Sequence, residues 1–312
     1  MNLNQISIVF PGQGSQYVGM LSSYLDNFPS VQETFEEASK LLNINFIDLL
    51  TKGTKEDLAK TKITQPLMLI ADVALWKLIS NLLNKPMCVA GHSLGEYAAL
   101  VAAEVLSLES ALILVQERSE LMQQAVPDNE GGIAAIIGLD EEVINHICSE
   151  ISKDSKLLVS AANLNSSNQI VISGTKLGVT EAIERFKSLG AKRAISLPMT
   201  VPAHCMLMKS ASEKFSLVLE KVEFKKPNIP VIHNFDSQPE NDTQVIKTKL
   251  IKQIYSPVRW LDTINLMRDM NVKTIIECGP SKVLCGLIKR ISPEIEIIDL
   301  DNYKNYLVLS NG

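Results

Sequence analysis

This chain is short of several things at once. It has five cysteines, at 88, 148, 205, 278 and 285, an odd number with no Cys-x-x-Cys pair. That excludes a disulfide framework and a cysteine-based zinc site, and it suits a reducing compartment. Histidine is scarcer still, with four in 312 residues, so each candidate base can be weighed singly. The N-terminus, MNLNQISIVF, has no basic segment ahead of its apolar residues, and no apolar run is read as reaching membrane-spanning length. Neither charge dominates: the formal net charge is −5, so no overall field gathers nucleic acid or an anionic membrane. Internal repeats and low-complexity tracts are absent. The expectation is a cytoplasmic monomer without metal or cofactor, and without nucleic acid or membrane as partner.

What is present is a 46% hydrophobic, 21% charged chain, long enough for a large core. Residues 6–10 read as a strand running into Pro11-Gly12-Gln13-Gly14-Ser15-Gln16. Helices are expected at 31–42, with Ser30-x-x-Glu33 as a capping box, and at about 66–83 before Asn84-Lys85-Pro86. A strand at 87–90 and helices ending near 106 and 125 follow, an alternation that predicts a mainly parallel sheet. The pattern changes at Pro127-Asp128-Asn129-Glu130-Gly131-Gly132. Strand 132–138, helix 141–151, strands 157–162 and 169–173, helix 178–188 and strand 191–196 make the β-α-β-β-α-β order of a ferredoxin-like unit. Strand 230–234, helices 243–254 and 258–270, strand 272–278, helix 282–290 and strand 295–300 then resume the larger sheet. The expected domains are 1–127 with 199–312, and 128–198 inserted between them.

Within Gly91-His92-Ser93-Leu94-Gly95-Glu96-Tyr97, the Gly-x-Ser-x-Gly spacing after a short strand suits a nucleophile elbow. The alternative is a glycine-rich helix start with a capping serine. A serine nucleophile needs a base. His92 adjoins Ser93, where the turn points the two side chains apart, and His146 lies mid-helix in the small domain. His233 sits in an expected strand as a core histidine, so position favours His204, where the insert hands back to the larger domain.

Arg118 falls within an apolar stripe formed by Ala111, Leu114, Val115, Leu121, Met122 and Ala125. An arginine on a buried face needs an anion. Either it makes an internal salt bridge or snorkels, or it holds a substrate carboxylate bidentately beside Ser93, 25 residues earlier. Gly12-Gln13-Gly14 after a strand suggests a dinucleotide loop, but the third glycine position is Tyr17 and no acid-ended strand follows at the right distance. That reading fails.

Together these segments resemble the malonyl-CoA:acyl-carrier-protein transacylases. Pro11-Gly12-Gln13-Gly14-Ser15-Gln16, Gly91-His92-Ser93-Leu94-Gly95-Glu96, Gln116-Glu117-Arg118 and Pro202-Ala203-His204-Cys205 carry the likeness. So do Ala161-Ala162-Asn163, Gln169-Ile170-Val171-Ile172-Ser173-Gly174 and Glu277-Cys278-Gly279-Pro280, in order along nearly the whole chain.

The resemblance implies an α/β-hydrolase-like large domain with a ferredoxin-like insert. It implies Ser93 as nucleophile, His204 as base, and the main-chain carbonyl of Gln253 orienting that histidine. Arg118 would clamp the malonyl carboxylate, and the N–H groups of Gln13 and Leu94 would form the oxyanion hole. Asn163 matches a family active-site asparagine, and Met122 is expected at the substrate. Malonyl-CoA and acyl carrier protein would be the substrates, in fatty acid synthesis, with cations such as Lys192, Arg193, Lys289 and Arg290 meeting the acidic carrier. Ala203 departs from the Ser or Phe often found before this histidine and leaves α-methyl exclusion open. A polyketide carrier, a serine thioesterase or hydrolase, and a non-catalytic carrier-binding module are the competing readings.

Overall fold

The computed structural model describes residues 5–127, 129–199 and 201–311, so Asp128, the first residue of the expected insert, lies outside the described residues. The strands are β1 (Ile6–Phe10), β2 (Val89–Gly91), β3 (Gly131–Ile137), β4 (Val159–Ser166), β5 (Gln169–Thr175), β6 (Arg193–Ser196), β7 (Val231–Ile232), β8 (Thr274–Glu277) and β9 (Glu296–Asp299). They make two sheets. The larger runs β7-β2-β1-β8-β9 with every pair parallel. Its central strand β1 is buried at all five positions, which is why it reads as a continuous apolar run. Phe10 pairs with Gly91 and Val9 with Glu277, so the carboxyl ends of β1, β2 and β8 open on one crevice. Open parallel sheets place their ligands there.

The smaller sheet runs β4-β5-β3-β6, all antiparallel. Helices Glu141–Ile151 and Lys176–Ser188 cover one face, completing the ferredoxin-like order over a core that includes Ile136, Ile144, Ile172 and Phe186. Strand β4 is stitched to the large domain at Val258: Leu164 N donates to Val258 O at 2.8 Å and Val258 N to Ala162 O at 2.9 Å.

Three expectations need correction. The helix expected from residue 66 is Thr61–Ile79, with Pro66 in its second turn. Proline is favoured in the first turn, but Pro66 lies past it, where it forgoes one i−4 bond within an otherwise apolar, buried helix, so it does not mark the start. The earlier start brings Gln65 into the helix and toward the crevice. By length and composition this helix with its extension to Leu82 is also long and apolar enough to cross a membrane, which the run-length reading missed; 72% of that window is buried in the protein. Finally, no capping box forms at Ser30: helix Pro29–Leu42 starts at a proline, Phe28 is its N-cap, and no side chain caps it.

Helices Ser22–Asn27, Phe46–Lys52, Lys55–Ala59, Lys209–Glu220 and Tyr303–Ser310 went unread. Four of them span eight residues or fewer, too short for a periodic signal to stand out.

One buried acid stands apart from the crevice. Asp72 is fully buried and neither carboxyl oxygen has a hydrogen-bond partner among the described residues. Burial, with Glu277 nearby, raises its pKa well above 3.8. The unfolded chain therefore ionises Asp72 at a pH where the folded chain keeps the proton, and stability falls as pH rises through that window. Asp72→Asn removes the linkage. Its melting temperature is expected to exceed the parent's at about pH 8, with the gap closing toward about pH 4. Parallel curves would contradict this.

Candidate active site

Ser93 stands between β2 and helix Gly95–Ala102 with φ 53°, a left-handed conformation that a serine adopts only under constraint. The flanking glycines supply the constraint. A Cβ on Gly91 would lie 1.9 Å from Gly95 C, and one on Gly95 would lie 2.2 Å from Phe10 O. Loop 11–16 presses on the same turn, since a Cβ on Gly12 would lie 2.4 Å from His92 O. The capping alternative is settled by where the hydroxyl goes. Leu94 is the N-cap and no side chain caps the helix, while Ser93 Oγ meets His204 Nε2 at 2.7 Å.

His204 also has positive φ, 62°. Its Nδ1 lies 2.7 Å from Gln253 O, an acceptor only, so Nδ1 carries the proton and Nε2 is left to accept from Ser93. Its own N–H donates to Ile254 O at 3.0 Å. From the small domain, Ser173 Oγ donates to Ala203 O at 2.6 Å, fixing the preceding peptide. Burial first, and the Arg118 charge second, push the imidazole down to about 3. The imidazole is therefore neutral in the neutral pH range. The other histidines do other things. His92 Nε2 meets Asn165 Oδ1 at 2.9 Å and its ring packs on Trp260, His146 is exposed on its helix, and buried His233 meets Glu96 Oε1 at 2.7 Å.

Arg118 is 1% exposed, on helix Leu108–Gln124. The buried face of that helix also takes in Leu112 and Ser119, and Ser119 satisfies its hydroxyl locally on Gln116 O. The salt-bridge reading of Arg118 does not hold: among the described residues no ion pair includes it. Its partners are neutral oxygens, with Nη1 donating to Gln65 Oε1 at 2.7 Å and Nη2 to Gln253 Oε1 at 3.0 Å and Ser93 Oγ at 3.2 Å. The Tyr97 ring lies 5.7 Å from the guanidinium carbon. A buried cation beside a serine, with no anion in contact, is poised for an anionic ligand.

These groups open on a cavity of about 560 Å³ between the two domains. Gln13, Leu94, Met122, Asn163 and Ala203 line it. The N–H groups of Gln13 and Leu94 have no protein acceptor among the described residues. Met122 takes a 4.0 Å contact from Gln65 Nε2 on its sulfur, and Asn163 sits at a bulge in β4. No cluster able to hold a metal occurs among the described residues. Four site residues went unread: Gln65, Glu96, Asn165 and Asn234. Glu96 had a signal, being a lone charge in an otherwise apolar helix, the same anomaly that marked Arg118.

Residues 8–296 match the family described as the acyl transferase domain. The chain is 45% identical over 290 residues to the malonyl CoA-acyl carrier protein transacylase of Salmonella typhimurium, covering 93% of each. It is similar to the solved structure of the transacylase from Coxiella burnetii, with TM-score 0.95 and 43% identity over 98% of this chain and 97% of that one. A malonyl-transacylase solved in complex with its type II polyketide acyl-carrier protein gives TM-score 0.95 and 41% identity, over 99% of this chain and 100% of that one.

The elbow's dependence on close backbone approach is directly testable. Gly95→Ala forces Cβ into Phe10 O and is expected to destabilise by about 1–3 kcal/mol or more, with activity lost beyond the drop in folded protein. A stable, fully active Gly95→Ala protein would contradict the account.

Proposed function

The chain belongs to the acyl transferase domain family, and from that membership and the site's geometry we infer that it transfers a malonyl group from malonyl-CoA to acyl carrier protein in fatty acid synthesis. The observation that carries the substrate is Arg118, a buried cation 3.2 Å from Ser93 Oγ with only neutral partners. A short dicarboxylic thioester brings the missing anion and leaves its carbonyl at the nucleophile.

His204 Nε2 takes the proton as Ser93 Oγ attacks the thioester carbonyl. The oxyanion forms against the free N–H groups of Gln13 and Leu94, donors worth about 2.7–4 kcal/mol each in comparable sites. Collapse breaks the carbon–sulfur bond, and His204 returns the proton to the departing CoA sulfur. The malonyl ester stays on Ser93 until the carrier's phosphopantetheine thiol attacks, with His204 again taking the proton. The sequence is ping-pong. A main-chain carbonyl behind His204, in place of a carboxylate, stabilises imidazolium less than a triad acid does. Thioester exchange asks for less of that help than hydrolysis of a stable ester. Among the described residues no acid stands behind His204, whose Nδ1 meets Gln253 O: Asp140 precedes a small-domain helix, and Asp154 caps Lys156 N.

Other parts of the reading have narrower support. Nucleophile, base and clamp all come from one chain, so a monomer suffices. The five cysteines are all free, which suits a reducing, cytoplasmic setting. Lys192, Arg193 and Lys289 are exposed toward an acidic carrier, while Arg290 Nη1 donates to Gln169 Oε1 at 2.6 Å and ties the domains together. Ala203 presents only a methyl to the cavity, so an α-methyl on the acyl chain meets no bulky side chain there.

Arg118→Ala tests the clamp. Removing one partner of a desolvated ion pair costs about 2–5 kcal/mol, so malonyl kcat/KM is expected to fall about thirty-fold to several thousand-fold. Acetyl transfer, which has no carboxylate to lose, is expected to be spared. Equal losses for both substrates would reject the clamp.

The same variant tests the base. Arg118 is a cause of the low His204 pKa, so without it the acid limb of acetyl transfer should move to higher pH. An unmoved or lower limb would show that the Arg118 charge does not govern the base.

A further inference from the structure

The mechanism uses one atom of Gln253, its main-chain oxygen. Its side chain makes three more bonds. Oε1 accepts from Arg118 Nη2 at 3.0 Å, and Nε2 donates to Ser93 O at 2.9 Å and Glu96 Oε2 at 2.8 Å. One residue thereby touches the nucleophile, the base and the clamp. An amide has a donor end and an acceptor end. Two acceptors, Ser93 O and Glu96, lie on one side and a guanidinium on the other, so only one of its two orientations satisfies all three partners.

Glu96 is what makes that orientation firm. It is fully buried, and each of its partners can donate: His233 Nδ1 at 2.7 Å, Asn234 N at 3.2 Å and Gln253 Nε2. Asn234 ties this carboxylate back to the elbow, accepting from Ser93 N at 2.6 Å and donating to Gly91 O at 2.6 Å. An alanine or leucine at 96 would suit a helix that otherwise reads Tyr97-Ala98-Ala99-Leu100-Val101-Ala102. A carboxylate there carries a burial penalty that no packing role explains.

We propose that Glu96 and the side chain of Gln253 are positioning residues that aim the Arg118 guanidinium, and so set the preference for a carboxylated acyl chain without touching it. Held by Gln253 Oε1, Nη2 stays beside Ser93 Oγ and faces the acyl chain. If the amide turns over, its N–H groups face the guanidinium, and Arg118 swings toward its other amide partner, Gln65, and away from Ser93 Oγ. The proposal rests on the malonyl reading and names the groups that enforce it.

Three variants test it against wild type and Arg118→Ala, by kcat/KM for malonyl-CoA and acetyl-CoA with acyl carrier protein. Gln253→Met keeps the main-chain carbonyl and hence the His204 bond, Gln253→Asn draws the amide out of reach, and Glu96→Ala frees it to turn over. Should Glu96→Ala not fold, Glu96→Asp, which withdraws the carboxylate from Gln253, is read the same way. The malonyl-to-acetyl ratio is expected to fall about tenfold or more in each, mainly through malonyl KM, over and above any loss the two substrates share. An unchanged ratio, or equal losses for both substrates as a purely structural role requires, overturns the proposal. Failure of the underlying reading looks different: wild type takes no malonyl group, or Arg118→Ala keeps the wild-type ratio.

Discussion

Arg118 is a guanidinium carried into the interior, where amide and hydroxyl oxygens meet it but no carboxylate does. Placing a charge there is unfavourable on its own, and much of the crevice is arranged around it. Gln65 reaches it because helix Thr61–Ile79 starts before its proline. Gln253 reaches it from the end of helix Thr243–Gln253, the same residue whose carbonyl fixes the His204 tautomer. The charge also acts on His204, helping to hold it neutral. A bound carboxylate would therefore relieve two conditions at once, the unpaired cation and the suppression of His204 basicity.

The small domain serves more than enclosure. The residue before each of Ser93 and His204 is held from its sheet: His92 by Asn165, and Ala203 by Ser173. The Ala162–Val258–Leu164 pairing adds a third attachment, a few residues beyond the carbonyl behind His204. Ser93 and His204 both sit at positive φ, conformations that persist only where surroundings over-determine them. Two domains clasping one turn each provide that. A shift of one sheet against the other would be felt at the 2.7 Å contact between Ser93 and His204.

Much of this was legible in the residues themselves. The elbow announced itself through glycine spacing, because a turn that brings backbone within touching distance of backbone admits nothing larger. Arg118 was visible as a charge in an apolar stripe, and the ferredoxin-like order followed from strand and helix alternation. Glu96 and Asp72 pose the same anomaly as Arg118, charges within apolar helices, though neither stood out in the sequence. Gln65, Asn165 and Asn234 carry no such mark: a neutral amide fits a surface as well as a site, and tertiary pairing alone decides. Pro66 misled because proline often opens a helix but does not have to. The pairing of Gln253 with Arg118 and Glu96 joins residues 135 and 157 positions apart, beyond any local pattern.

The central claim is that Ser93 carries the malonyl group between two thiols. Its most direct test is to mix the protein with malonyl-CoA alone, quench, and map the label by peptide mass spectrometry, before and after adding phosphopantetheinylated carrier protein. The account predicts one malonyl ester per chain, on Ser93, persisting without the carrier and discharged onto the carrier thiol when it is added. No ester, an ester on another residue, or release of free malonate as fast as transfer would contradict it.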